Sequence, residues 1–413
     1  MRPRFRYRQV WLVSIGLLAG CGSVSDPDAD RRAIERFVAD PAKGDERSAQ
    51  AAANRLNDAI GEAGTPRDRL ILAAFFDAVG NPARALERLA QIPDDLPDAK
   101  IAAAARLSEG RIAFYRSRLA RRAETALKSA IRLDPASHLA WLPLADLYDV
   151  QNRRSERDRC YARLDEASAL DRNRLLNWTC DRKLDAETDE QAAVLKAITA
   201  SDRSDLDSAI ALSEDKIRRG DFAGAKAELV RIDAGKDPVA AQAISLRQAQ
   251  IAADQGETDQ AARSLTSIDP KSLNARNAGL YFRLRGRFAI QSRKYAEAES
   301  ALRKALAAEP NDREAHQLLV QALRLDGRAK EATEISSRLT AIDRLEDLGQ
   351  KVRASLRRDD AKTLREIAET AIELKRYDLA RAWLRQLLAR DPLNATIQQE
   401  IYRVDQLGKK ASE

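Results

Sequence analysis

The sequence predicts an all-α fold, an α-solenoid of stacked antiparallel helix pairs, and three observations carry that reading. The first is composition: 44% of the 413 residues are apolar but only 5% are aromatic. A core drawn from such a chain is built mainly of Ala, Leu and Ile, which favours helix over sheet. The second is spacing. In the stretch Gly279 to Asn311, Tyr295, Ala298, Leu302 and Ala305 follow one another at helical intervals, Gly286 sits where a neighbouring helix must come close, and Pro310 ends the pattern. The third is recurrence at about 34 residues, which returns an alanine to the same second-helix position at Ala85, Ala123, Ala225, Ala261, Ala298 and Ala380. One such helix pair has an apolar face it cannot bury alone, so copies stack.

Residues 1–20 are a separate object. Arg2, Arg4, Arg6 and Arg8 form a basic head and Val10 to Ala19 an apolar run, the pattern of an export signal. The run is half the roughly 20 residues that span a bilayer. Leu18-Ala19-Gly20-Cys21 resembles the bacterial lipobox. The resemblance implies that Cys21 is lipidated and becomes the first residue, with acyl chains contributing ~0.8 kcal/mol per buried CH₂ to membrane attachment. Residues 21–30 then read as a lipidated tether. Gly22, where an Asp would oppose it, implies sorting to the outer membrane, facing the periplasm.

Four positive charges of the formal +7 lie in this signal, so the remainder carries +3. That near balance argues against a nucleic-acid partner. Beyond Cys21 the chain has only Cys160 and Cys180. They flank a predicted turn near residue 170 at similar separations, so in an oxidising compartment they are either a disulfide or two buried thiols.

The repeats follow in order. Residues 31–65 supply two helices as an N-terminal cap. A first copy runs from about Pro66 to Ala99 and a second from Ala104 to Ser137. A third opens with Trp141, Leu144, Ala145 and Tyr148; a fourth, Arg172 to Asp205, is degenerate. Gly220 and Ala225 mark the fifth copy, Gly256 and Ala261 the sixth, and Gly279 to Asn311 is the seventh. After Gly327 and Ala332 of the eighth, the register is extended by an insertion at 347–360. Ile342, Leu345, Leu348, Val352 and Leu356 keep helical spacing there, which predicts a lengthened second helix. A ninth copy ends at Asp391-Pro392, and residues 395–413 cap the array.

This pattern resembles the tetratricopeptide repeat family over residues 66–394. The resemblance implies a right-handed superhelix with a concave groove lined by first-helix positions. In this sequence those positions hold Asp146, Asp149 and Glu214 in the middle copies, and Arg283, Arg287, Gln321, Arg324, Arg365 and Glu369 in the later ones. The later half is basic, which suits an acidic segment or a C-terminal carboxylate, since Arg binds carboxylates through two prongs.

No catalytic motif stands out. His138 and His316 fall in different copies with no metal-ligand spacing around them. No phosphate loop or nucleophile elbow is present. The sequence thus predicts a non-enzymatic envelope scaffold with no cofactor, anchored to the membrane by lipid and binding envelope proteins or peptides. The alternative is an envelope enzyme or receptor holding a small molecule such as a glycan fragment, for which Tyr115 is the sole aromatic candidate.

Overall fold

The computed structural model describes residues 26–60, 64–180, 185–232, 237–354 and 360–412. The signal segment and Cys21 lie outside them. The described residues form 21 α-helices and no strand, and none of these helices is long and apolar enough to cross a membrane. The chain divides into two compact units, Met1–Tyr148 with Ala200–Asp202, and Asp149–Thr199 with Arg203–Glu413. The division falls inside the third copy, where a continuous array was expected.

The first unit holds α1 (Asp26–Ala39), α2 (Glu46–Ile60), α3 (Pro66–Ala78), α4 (Pro82–Ala90), α5 (Ala99–Arg111), α6 (Ala120–Leu133) and most of α7 (Trp141–Val150). Residues 26–30, read as tether, are helical. Helix α3 starts where the sequence says it should: Thr65 and Asp68 form a reciprocal capping box and Pro66 occupies the first turn. Arg31 of α1 donates to the buried Asp68 at 2.6 Å, and Phe37 packs on Phe75 with ring centroids 5.8 Å apart.

The second copy departs from the expected register. Helix α5 continues into a π-helical turn, Ile112–Arg116, which accommodates one extra residue. Just before it, Gly110 lies against α6, where a Cβ would stand 2.5 Å from Leu127 Cγ.

The second unit holds α8 (Arg154–Glu166), α9 (Arg172–Thr179), α10 (Asp185–Ser201), α11 (Leu206–Arg218), α12 (Phe222–Val230), α13 (Pro238–Asp254), α14 (Thr258–Thr266), α15 (Ala275–Gln291), α16 (Tyr295–Ala308), α17 (Arg313–Leu325), α18 (Ala329–Ala354), α19 (Ala361–Glu373), α20 (Tyr377–Leu388) and α21 (Ala395–Ser412). From α11 to α20 successive helices pair, α11 with α12 through α19 with α20. In α15, Gly286 meets Leu302 of α16 so closely that a Cβ would stand 2.5 Å from its Cγ. All six recurrent alanines are 0% exposed. Helix α18 is one 26-residue helix.

A single backbone device joins the two helices of a pair. Gly80, Gly220, Gly256 and Gly327 have φ between 77° and 82°, and Asn152, Arg293 and Lys375 take the same left-handed conformation at the equivalent place. At Arg293, two turn amides close on the end of α15: Arg293 N–H to Ile290 O at 2.9 Å and Lys294 N–H to Ala289 O at 2.8 Å. These two bonds satisfy carbonyls the helix end would otherwise leave bare. Five residues after each such turn stands the buried alanine, with one exception. At Arg157 the small residue is replaced by a guanidinium, 4% exposed, that donates to Asp149 at 3.1 Å and Asp158 at 2.8 Å and lies over the Tyr161 ring.

The degenerate fourth copy has a role that period alone did not reveal. In a simple solenoid each repeat touches only its neighbours. Here α8 and α9 pack against α18 and α20, near the far end of the same unit. Trp383 Nε1 donates to Thr179 Oγ1 at 2.8 Å, both residues buried. Arg376 donates to Trp178 O at 2.5 Å, and Asp165 accepts from Arg385 at 2.7 Å and from Arg381 at 3.3 Å. The second unit is therefore closed on itself.

Candidate functional site

The first helices α11, α13, α15 and α17 build a common face, and its centre is polar. Glu214 of α11 accepts from Arg247 of α13 at 2.7 Å, from Arg276 of α15, and from Asn152 Nδ2 at 3.0 Å. Burial opposes ionisation of Glu214, but the two guanidinium groups outweigh it and lower its carboxyl from 4.5 to about 2. Arg247 is only 1% exposed, and burial pushes its guanidinium down to about 10 against the pull of Glu214. Its Nη2 also donates to Asn277 Oδ1 at 3.1 Å.

The chain itself covers part of this face. In the turn before α8, Gln151 is 1% exposed and donates to Ser208 Oγ at 3.1 Å. Arg153 pairs with Asp207 at 3.1 Å, and Arg276 donates to Gln151 O at 3.1 Å. The stripe of α11 read as open groove is thus filled by residues 151–153.

The sequence-predicted residues scatter across several settings. Asp146 belongs to the first unit and accepts from Tyr115 at 2.7 Å. Asp149 holds Arg157, and Glu214 is consumed as described. The expected basic half is a set of ion pairs: Arg283 with Asp312 at 2.6 Å and Glu314 at 3.3 Å, Arg287 with Asp254 at 2.8 Å, Arg365 with Glu400 at 2.6 Å. Carboxylates on neighbouring helices neutralise these arginines, which a reading of first-helix positions one copy at a time does not register. Gln321, Arg324 and Glu369 are exposed.

Cys160 and Cys180 are buried thiols not joined in a disulfide. Helix α9 is short, and the Cys180 thiol donates to Leu176 O at 3.3 Å and faces Gly349 of α18. Burial raises the Cys160 thiol to about 12. His138 is exposed, whereas His316 is buried, with Nε2 3.0 Å from Pro310 O, and burial lowers its pKa. Among the described residues no group of three or more His, Cys, Asp and Glu side chains is placed to hold a metal ion.

Sequence reasoning missed Arg247, Arg276 and Asn152. Arg247 did carry a signal: it interrupts the apolar stripe Ala243, Leu246, Ile251 of α13, and a charge on a buried stripe calls for a partner.

The fold and this face define an all-α helical-repeat protein, a class that serves in general to bind protein partners. More narrowly, residues 148–326 match the model of a tetratricopeptide repeat-like domain, and this stretch is such a domain. No curated protein matches the chain significantly in sequence. Among solved structures, the chain is similar to the P58(IPK) TPR domain at 16% identity, covering 94% of this chain and 100% of that one, with a TM-score of 0.28. It is similar to the APC/C hetero-tetramer Cut9-Hcn1 at 14% identity, covering 96% and 99%, with a TM-score of 0.31. A human IFIT1 dimer with m7Gppp-AAAA is 13% identical over 93% and 92%, with a TM-score of 0.34.

Proposed function

We propose that this protein is a lipid-anchored scaffold of a bacterial cell envelope, held at the outer membrane on the periplasmic side, whose repeats bind envelope proteins or peptides. Support for the anchor is the basic head, short apolar run and Cys21 of the sequence. The observation that carries the scaffold reading is a division of labour along the repeat. Its recurrent residues, Gly286 and the six alanines, are spent on packing. The exposed first-helix positions, Gln321, Arg324 and Glu369, hold polar side chains free for contacts.

Two measurements test this. Radiolabelled palmitate is incorporated into the full chain and not into Cys21→Ala; equal labelling of both overturns the anchor. Crosslinking in intact cells followed by mass spectrometry captures the same partner proteins repeatedly, and Gln321→Glu with Arg324→Glu weakens that capture. Unchanged capture removes α17 from the binding face.

A further inference from the structure

The Glu214 cluster has a charge imbalance. Arg247 and Arg276 share one carboxylate, Glu214, while the adjacent Arg283 is matched by Asp312. Arg283 lies close enough to raise the cost of charging Arg247. Three guanidinium groups thus meet two partly buried carboxylates; Glu314, the remaining partner of Arg283, is half exposed. The Nε and Nη1 atoms of Arg247 have no hydrogen-bond partner among the described residues, although the side chain is 1% exposed. A buried donor left unpaired is destabilising, and more so when it is charged. Arg276, Arg283 and Glu214 are 18–19% exposed at the edge of the cluster, so solvent reaches it there.

We propose that Arg247, Arg276 and Arg283 form a binding site for an oxyanion, a carboxylate or phosphate group, on the face built by α11, α13 and α15. Its oxygens take the unpartnered N–H groups on Nε and Nη1 of Arg247 and share the guanidinium of Arg276 with Glu214. Planar, forked donors suit such a group better than a point charge does. The site joins four segments, the turn at 151–153 and helices α11, α13 and α15, so an occupant braces the closed unit. The inference does not depend on the scaffold reading: the same chemistry is supplied by a partner's carboxylate or by free phosphate.

Thermal melting and calorimetric titration of the full chain in detergent test it, at constant ionic strength. The probes are inorganic phosphate, a tetrapeptide with a free C-terminal carboxylate, and the same peptide amidated. Saturable stabilisation by phosphate or by the free peptide, but not by the amide, is expected. Response to phosphate alone assigns a free anion, and response to the free peptide assigns a partner's carboxylate. Arg247→Met weakens binding at least tenfold. Because that variant also disturbs packing, Glu214→Gln is the second arm: removing the internal competitor tightens binding severalfold, whereas a purely structural cluster gives no gain. No saturable response in the native chain, or no tightening in folded Glu214→Gln, overturns the proposal.

Discussion

The closure of the second unit rests on a bond between residues that a linear array would hold far apart, which makes it open to a direct test. Trp383 of α20 and Thr179 of α9 are 204 positions apart in sequence, and the indole N–H donates to the threonine hydroxyl at 2.8 Å in a buried setting. Thr179→Val removes the acceptor and leaves that N–H unpaired, costing about 2 kcal/mol. Trp383→Phe removes the donor and part of a ring, also costing about 2 kcal/mol. The double variant has neither an orphaned N–H nor the bond, so it costs about 1 kcal/mol less than the sum. Urea unfolding followed by circular dichroism supplies the four stabilities. Residues more than about 10 Å apart behave additively. A coupling below about 0.3 kcal/mol would therefore refute the docking of α9 on α20.

Acid stability should report Glu214. Its folded pKa, about 2, lies below its ordinary 4.5, so the unfolded chain binds more protons and the stabilisation is present above 4.5 and lost as pH falls toward 2. Glu214→Gln accordingly flattens the stability profile between these values, by on the order of 3 kcal/mol, as denaturant melts at several pH values would register. Gly286→Ala and Gly110→Ala each force a methyl to within 2.5 Å of a leucine branch and are expected to cost about 1–3 kcal/mol; wild-type melting temperatures would contradict the close approach. Arg293→Gly should do the reverse, raising stability by about 0.5–1 kcal/mol, because Arg293 holds φ at 60° where four equivalent turns use glycine.

Much of the architecture was legible because helices and their packing leave local marks. The six recurrent alanines had to be small, and all are 0% exposed. The glycines at 80, 220, 256 and 327 mark left-handed turns that other residues enter only at a cost. The polar face was legible only in part. Arg283, Arg287 and Arg365 were placed correctly on first helices, but their net effect depends on Asp312, Asp254 and Glu400, none of them on the same helix as its arginine.

By itself the sequence determined the helical class, the pair as its unit and the positions at which helices interlock, since these follow from spacing and side-chain size within one or two repeats. Only the tertiary structure decided that the chain divides near Tyr148 and that α8 and α9 close onto α18 and α20. It also decided that the face expected to be open and basic is internally paired around Glu214. The physical reason is range: interlock is settled between neighbours, whereas closure and charge compensation join side chains 29 to 220 positions apart, and no periodicity in the sequence encodes such partners.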